Sequence, residues 1–291
     1  MRLRRRTGWT TVRVISGLGN QLFQYATGRA VAERTGTRLR FDLSYIGHEA
    51  DRPYALGDFH IRAEVVDGAP KDLKFMADHA AEDAYARAHF GATVLREADV
   101  ADDPDVLDSA RPGTFLAGYW QSPRYFADHE ARIRRELRPR MTANLRAGRK
   151  QLAAVPESVA VHVRRGDYVS DAGSAATFGS LDLDYYHRAA ALIREQRPAA
   201  EFFVFSDDPE WCRRSIDLPG PTHVVSGQNR PFEDLTLMGA CHDVIVANST
   251  FSWWGGWLAD RPGALIVAPE VGFQIDRLNN RHFYPEHWLR V

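Results

Sequence analysis

The chain has 291 residues and is 44% hydrophobic, which is enough to build the cores of two ordinary domains or of one large domain. Its 37 basic and 38 acidic residues give a formal net charge of −1, so no overall basic field favours a nucleic acid partner. The two cysteines, Cys212 and Cys241, lack the close spacing of a metal site and fit a reducing compartment better than a disulfide framework.

The N-terminus is basic but has the pattern of neither a membrane span nor a signal peptide. No apolar run approaches the roughly 20 residues that a spanning helix needs, and no apolar segment follows the arginine-rich residues 1–6. These arginines form either a frayed, solvated terminus or a peripheral contact with anionic lipid. We therefore expect a cytoplasmic protein, free or bound at the inner face of the membrane.

The first motif is a glycine turn between a strand and a helix. Residues 12–15 predict a short strand, and a helical periodicity begins after the turn that contains Gly17 and Gly19. The third glycine of the dinucleotide fingerprint is missing, so the turn is either a tight connection or a place of close approach to a ligand. Asn20 and Gln21 add neutral hydrogen-bonding groups that suit a sugar hydroxyl.

The rest of the first half contains few defensible motifs. Residues 38–42 and 114–117 predict strands, whereas residues 44–111 form an irregular stretch without a motif. The aromatic and amide residues 118–122 suit either stacking on a sugar or a domain-interface core. Helical periodicity follows, a second helical segment spans 143–152, and a new series of alternating strands and helices starts at Val159, which predicts domains at 1–155 and 156–291.

The second half opens on an arginine pair at the end of a predicted buried strand. The apolar residues 159–161 lead into His162, Arg164 and Arg165, and Asp167 follows. Two guanidinium forks at the carboxyl end of a parallel strand suit a doubly charged anion. The alternative is an ordinary surface arginine pair with a salt-bridged aspartate.

Two features follow the arginine pair. The small residues and glycines of 170–180 predict a flexible loop. The sequence Asp182-Leu183-Asp184 matches the Asp-x-Asp motif of metal-dependent sugar transferases, but Asp184 directly precedes an apolar helical face. We therefore interpret Asp184 as a helix N-cap rather than as a metal ligand.

Paired carboxylates come after the next predicted strand. Residues 202–205 form a buried strand that delivers Ser206, Asp207 and Asp208 at its end. These carboxylates suit general bases, or acceptors for ribose hydroxyls and for the N–H and amino edge of guanine. Because Pro209 starts a helix, one aspartate is alternatively a cap, and both interpretations stay open.

A third strand, 243–247, ends in Asn248, Ser249, Thr250 and Phe251, followed by a helix. Hydroxyls at a helix start form an anion cradle together with the free backbone N–H groups and the helix dipole. The same residues spell a glycosylation acceptor, which the apolar context argues against. Polar groups thus end three strands of one predicted parallel sheet, which indicates a nucleotide-diphosphate site whose charge arginines supply in place of a metal.

Five blocks together resemble the α-1,2-fucosyltransferases of glycosyltransferase family 11, and they occur in that family's order over nearly the whole chain; the blocks are 17–25, 118–122, 162–168, 205–208 and 248–254. The resemblance implies an α/β, GT-B-like fold with two Rossmann-like parallel-sheet domains facing a central cleft. The domain 1–155 would be the acceptor side, and the domain 156–291 would bind GDP-fucose. It also implies a GDP-β-L-fucose donor, inversion at the anomeric carbon, and no required metal or further cofactor.

The resemblance also implies roles for individual residues. Arg164 would hold the pyrophosphate and stabilise the departing GDP, and Arg165 would support it. The implied catalytic residues are Arg164, Asp167 and Asn20, with Asp167 as either the general base or an orienting group. The implied donor-binding residues are Gly19, Gln21, His162, Arg165, Ser206, Asp207, Asp208, Asp234, Asn248, Ser249, Thr250 and Phe251; no metal ligand is expected.

The predicted activity is transfer of L-fucose to a hydroxyl, the 2-OH of a β-galactoside, in an oligosaccharide or lipid-linked glycan of a bacterial polysaccharide. The first motif lies close to the start of the chain, which predicts a bacterial-type enzyme without the stem and anchor of animal relatives. Two other classes stay open. They are a non-catalytic nucleotide-sugar binder and a nicotinamide-dependent oxidoreductase, which the missing third glycine disfavours.

Overall fold

The computed structural model describes residues 7–46, 52–67, 78–97, 104–272, 275, 280 and 282–291, without the side chains of Asp167 and Ser174. Two compact units divide the chain, Met1–Arg138 and Pro139–Val291. Among the described residues, no helix combines the length and the apolar character that crossing a bilayer requires. The predicted lipid contact of the basic N-terminus falls on residues 1–6 and therefore outside the described residues.

Within the described residues, unit 1 holds a five-stranded parallel sheet in the order β3-β2-β1-β5-β4. The strands are β1 (Trp9–Arg13), β2 (Arg38–Asp42), β3 (Glu64–Val66), β4 (Thr93–Arg96) and β5 (Thr114–Ala117). The helices are α1 (Leu18–Thr35), α2 (His79–Phe90) and α3 (Glu130–Glu136).

Close packing of α1 on β1 explains part of this arrangement. A Cβ at Gly28 would overlap the Val12 side chain, so a glycine at this position lets the helix lie directly on the sheet. Strand β1 ends at Arg13 rather than spanning the predicted 12–15. The stretch 44–111 is not wholly irregular, since it contains α2, β3 and β4.

Within the described residues, unit 2 holds a six-stranded parallel sheet in the order β11-β10-β9-β6-β7-β8. The strands are β6 (Ser158–Val163), β7 (Glu201–Ser206), β8 (Thr222–Val224), β9 (Asp243–Ile245), β10 (Ile266–Ala268) and β11 (Leu289–Arg290). The chain runs outward from β6 to β8 and then returns to the other side of β6. The strand order therefore reverses between β6 and β9, and such a switch point is where open α/β sheets bind ligands.

Seven helices accompany this sheet within the described part of unit 2. They are α4 (Ala143–Ala153), α5 (Gly166–Ser170), α6 (Ala172–Phe178), α7 (Leu183–Gln196), α8 (Pro209–Ser215), α9 (Pro231–Met238) and α10 (Thr250–Ala259). Trp254 and Trp257 of α10 are both buried and pack in the core of this unit.

The division between the units lies earlier than the predicted 155/156 because α4 packs on unit 2. The Glu233 carboxylate, at the start of α9, accepts hydrogen bonds from Thr142 and Asn144. A Cβ at Gly148 would lie 2.7 Å from a methyl carbon of Leu237, which shows how closely the two helices approach. The helical segment before β6 therefore belongs to the second unit.

Two further predictions about unit 2 are wrong. The expected flexible loop 170–180 contains α6, and the Tyr168 and Phe178 rings stack at 4.9 Å, which holds α5 and α6 together. Asp182, not Asp184, caps α7, because its carboxylate accepts the Tyr185 N–H at 2.8 Å while Asp184 lies within the first turn.

Candidate active site

The carboxyl edge of the unit 2 sheet collects the predicted donor-side residues. Strands β6 and β7 pair with Val163 opposite Ser206, so Arg164 and Asp207 follow neighbouring strand ends. Strand β9 pairs with the other side of β6, which brings the segment from Asn248 to Phe251 to the same edge. The prediction that these three strand ends share one edge is thus confirmed by the sheet topology.

The Arg164 guanidinium is held in a fixed orientation. Its Nη1 lies 2.6 Å from Oδ2 of Asp207, and its Cζ lies 5.4 Å from the centre of the Tyr168 ring. Oδ1 of Asp207 accepts the backbone N–H of Arg165 at 2.9 Å. A Cβ at Gly166 would lie 2.5 Å from Oδ2 of Asp207, so a larger residue at this position would displace this carboxylate.

Asp208 has a different set of contacts. Its carboxylate lies 3.3 Å from Nε of Arg165 and caps α8 by accepting the Trp211 N–H at 3.0 Å. The Arg165 guanidinium lies 3.8 Å above the Trp211 ring, and the Asp208 N–H donates to Oγ of Ser206. Of the two interpretations of the paired carboxylates, the cap therefore applies to Asp208, while nucleoside contact by Asp207 or Asp208 stays a prediction.

The start of α10 lies at the same edge of the sheet as Arg164. Ser249 caps the helix by accepting the Ser252 N–H at 3.1 Å, and Thr250 and Phe251 form its first turn. The His162 and Phe251 rings lie 5.2 Å apart, which joins the end of β6 to the helix start. An N-terminal turn of this kind offers backbone N–H groups and the positive end of the helix dipole to an anion.

Two buried polar atoms lie at the same switch point. Burial and the Arg164 charge lower the pKa of His162 to about 3, so its imidazole is neutral, and its buried Nδ1 has no hydrogen-bond partner in the described structure. Asn248 donates through Nδ2 to the carbonyls of Phe178 and Gly179, whereas its buried Oδ1 likewise has no described partner. Such atoms are available to hydrogen-bond a ligand or an ordered water molecule.

A cavity of about 310 Å³ lies on the face of the sheet to which His162 points. It is lined by residues of α4, β7, β8 and α9 and by the loop before α9; they are Asn144, Ala147, Gly148, Gln151, Leu152, Phe203, Phe205, His223, Val224, Val225, Ser226, Asn229 and Leu237. The His223 ring stacks on Phe203 with the centroids 4.9 Å apart. The walls thus combine apolar and aromatic side chains with nearly as much polar surface, including the amide of Asn229.

Asp234 adjoins this cavity through Asn229, which lines it. Nδ2 of Asn229 donates to Oδ1 of Asp234 at 2.8 Å. Burial raises the pKa of Asp234 to about 6; the hydrogen bond from Asn229 opposes the rise, and the charge of Glu233 adds to it. A carboxyl with such a raised pKa beside a pocket is typical of a functional group.

The predicted residues of unit 1 occupy two different environments. Gln21 is buried, its Nε2 donates to the carbonyls of Ser16 and Pro53, and its Oε1 accepts the Ala55 N–H. Its amide is therefore occupied in holding the segment before Leu56, and Gly19 is buried within α1. Asn20, by contrast, is only partly buried and belongs to a polar cluster at the strand ends.

Several contacts at the strand ends of the two sheets could not be predicted from the sequence. Oε2 of Glu97 accepts the backbone N–H groups of both Tyr119 and Trp120 at 2.8 Å, and the Tyr168 ring lies beside Arg164. No motif or spacing marks them, since each contact depends on the folded backbone. The side chain of Asp167, predicted to be either the general base or an orienting group, lies outside the described residues. Across the part of the chain that the structure covers, no group of three His, Cys, Asp or Glu side chains is arranged to hold a metal.

The family model for glycosyl transferase family 11 matches residues 1–290. An α-1,2-colitosyltransferase of Escherichia coli is 29% identical over 287 residues, covering 96% of this chain and 97% of that protein. The human galactoside α-(1,2)-fucosyltransferase 1 is 27% identical over 266 residues, covering 87% of this chain and 66% of that protein.

Among solved structures, Arabidopsis thaliana FUT1 in complex with GDP superimposes with a TM-score of 0.57 at 12% identity, covering 96% of this chain and 75% of that one. The fucosyltransferase NodZ from Bradyrhizobium superimposes with a TM-score of 0.51 at 16% identity, covering 86% of this chain and 93% of that one. These similarities confirm the predicted α/β, GT-B-like architecture of two parallel-sheet units.

Proposed function

Because the chain belongs to glycosyl transferase family 11, we propose that it transfers L-fucose from GDP-β-L-fucose to the 2-hydroxyl of a β-galactoside, with inversion to an α-1,2 linkage. The observation that carries this proposal is the convergence at the β6/β9 switch point. There an oriented arginine, a helix N-terminus and two buried polar atoms without described partners lie together. The arginine and the helix N-terminus suit the negative charge of a diphosphate, and the two neutral polar atoms suit an uncharged group attached to it, such as a sugar.

The diphosphate is assigned to Arg164 and to the first turn of α10. A guanidinium carries five N–H donors, and the contact with Asp207 engages Nη1, which orients the rest of the fork. Arg165 is assigned a supporting role, because its guanidinium is stacked on Trp211 and paired with Asp208. Ser249, Thr250 and Phe251 complete the phosphate side.

The guanine base is assigned to the cavity beside Asp234. The cavity is lined by both apolar and polar side chains, and the carboxylate of Asp234 beside it matches the N–H and amino edge of guanine. Binding to this edge requires the ionised carboxylate, so the pKa of about 6 for Asp234 ties donor binding to pH. In this proposal Asp207 and Asp208 orient the two arginines, and this role replaces the predicted nucleoside contact by Asp207 or Asp208.

The proposed reaction is a single displacement. The acceptor oxygen forms a bond to the anomeric carbon while the bond from that carbon to the β-phosphate oxygen breaks, and the electron pair leaves with GDP. Arg164 stabilises the negative charge that grows on this oxygen. The hydroxyl proton passes to a general base, for which Asp167 is the candidate, and Asn20 is assigned to the reacting sugar.

We also propose that no divalent metal is required, because Arg164 supplies the positive charge at the leaving group. The acceptor is proposed to be an oligosaccharide or lipid-linked glycan. A second donor has specific support, since the similarity to the colitosyltransferase spans nearly the full length of both chains. Colitose is fucose without its 3-hydroxyl, so a site for one sugar differs from a site for the other by a single hydroxyl contact.

The experiment is a donor and acceptor screen on the full chain, read by product mass and linkage. We expect a fucosyl or colitosyl product on the 2-OH of lactose, and more than 100-fold slower product formation by the Arg164→Ala control. Binding of GDP-fucose without any transfer would favour a non-catalytic nucleotide-sugar binder instead. Stabilisation against heat by NAD but not by GDP would favour the oxidoreductase.

A further inference from the structure

The backbone of unit 1 is strained just after two neighbouring strands, β1 and β5. In the described part of the chain, Ser16 and Trp120 are the non-glycine residues with positive φ, at 64° and 59°. They follow β1 and β5, which are neighbours in the sheet, with Val12 opposite Leu116. Left-handed backbone at non-glycine residues is costly and concentrates at functional sites.

The strained segment 118–122 is held by contacts specific to it. The Glu97 carboxylate accepts the N–H groups of Tyr119 and Trp120, and a Cβ at Gly118 would lie 2.6 Å from Cβ of Glu97. The Trp120 ring is buried and packs edge-to-face on Tyr125 at 5.3 Å. The result is that the Tyr119 side chain is presented outward, with 39% of its surface exposed.

Two layers of amides connect this segment to the glycine turn. In the inner layer, buried Gln24 accepts the Ile15 N–H and donates to the Gly118 carbonyl. In the outer layer, Nε2 of Gln121 donates to Oδ1 of Asn20 at 2.9 Å, and Nδ2 of Asn20 donates to Oγ of Ser16 at 2.9 Å. The inner layer ties backbone to backbone, whereas the outer layer fixes the orientation of a partly exposed amide.

We propose that residues 118–122 form the acceptor hexose subsite of unit 1, in which Tyr119 packs on the apolar face of the sugar ring and Gln121 positions the Asn20 amide. Pyranose rings present an apolar C–H face and rows of hydroxyls, which match an aromatic ring beside amides that both donate and accept. The inference rests on the proposed function, since it specifies where the galactoside of that reaction binds.

The test uses the full chain with GDP-fucose as donor and lactose as acceptor. Tyr119→Ala raises KM for lactose at least tenfold and leaves the Kd for GDP within twofold, whereas Tyr119→Phe keeps KM within threefold. In Gln121→Glu the side chain keeps its size, but a carboxylate oxygen then faces Oδ1 of Asn20 and the hydrogen bond that orients the Asn20 amide is lost. We therefore expect kcat to fall at least tenfold, while KM for GDP-fucose stays unchanged. Val65→Ala, an exposed residue of β3, is the matched control and changes neither value.

Three results would overturn the proposal. They are an unchanged KM for lactose in Tyr119→Ala, a change in KM for GDP-fucose instead, and a loss of activity in Gln121→Glu that merely follows a lower melting temperature. If the wild-type chain transfers no sugar at all, the proposed function fails, but the subsite is still decided by direct binding. Saturation-transfer NMR with lactose then shows binding to the wild type and loss of binding in Tyr119→Ala if the subsite exists.

Discussion

Asp234 offers a substitution whose effects on stability and on binding have opposite signs. Burial raises the pKa of this carboxyl from its ordinary 3.8 to about 6, so the folded protein binds the proton more tightly than the unfolded chain does. The free energy of unfolding therefore has its full value below pH 3.8, where the carboxyl is protonated in both states, and it decreases as the pH rises toward 6. Since one pKa unit corresponds to about 1.4 kcal/mol, burial of the ionised carboxyl lowers the free energy of unfolding by at most about 3 kcal/mol.

Asp234→Asn removes this penalty, because the amide is neutral and its oxygen still accepts the hydrogen bond from Asn229. We expect the variant to exceed the wild type in free energy of unfolding by about 2 kcal/mol at pH 7.5 and to equal it at pH 3.8. The measurement is denaturant unfolding without ligand at both pH values. A variant less stable than the wild type at pH 7.5 would refute the reasoning about burial.

Binding should change in the other direction. Wild-type affinity for GDP is expected to fall below about pH 6 as Asp234 is protonated, and the variant should bind GDP roughly 10- to 100-fold more weakly. The amide matches the N–H and carbonyl edge of xanthine, so the variant should gain affinity for xanthosine diphosphate. Calorimetric titration with both nucleotides checks this, and unchanged GDP affinity would remove Asp234 from the base site.

Three other predictions concern the phosphate side. Gly166→Ala should lower the transfer rate about tenfold, because the new Cβ displaces the Asp207 carboxylate that orients Arg164; initial rates measure this, and a wild-type rate would contradict it. Asn248→Ala should cost about 1–2 kcal/mol locally, because the carbonyls of Phe178 and Gly179 lose their donor. Faster hydrogen exchange in 172–179 would show this, and unchanged exchange would oppose it. Dialysis against EDTA should leave the transfer rate unchanged, whereas restoration of lost activity by Mg²⁺ would contradict metal independence.

The proposed donor side of unit 2 is predictable from sequence because it follows a simple rule. Each polar group comes directly after an apolar run, and parallel strands place such groups at one edge, as found for Arg164, Asp207 and Ser249. What the sequence does not give is the partner of each group. The pairing of Arg164 with Asp207 depends on a glycine, Gly166, which leaves room for the carboxylate.

Tertiary contacts explain where the prediction differs from the structure. The small residues of 170–180 predict a loop, but α6 forms there because Phe178 stacks on Tyr168 and Asn248 binds the end of the helix. The amino-acid composition of a segment does not predict such tertiary contacts, which can override its local preference. Similarly, Gln21 is polar enough to suit a sugar, yet three backbone groups occupy its amide.

The central claim is that Arg164 carries the charge of the departing diphosphate. Its most direct test is to measure kcat for fucosyl transfer and Kd for GDP-fucose in Arg164→Ala and Arg164→Lys. We predict that kcat falls more than 100-fold in Arg164→Ala and less in Arg164→Lys, with the Kd for GDP-fucose changing by less than about tenfold, because the negative charge that Arg164 stabilises grows only as the bond to GDP breaks. Near-normal kcat in Arg164→Ala would contradict the account.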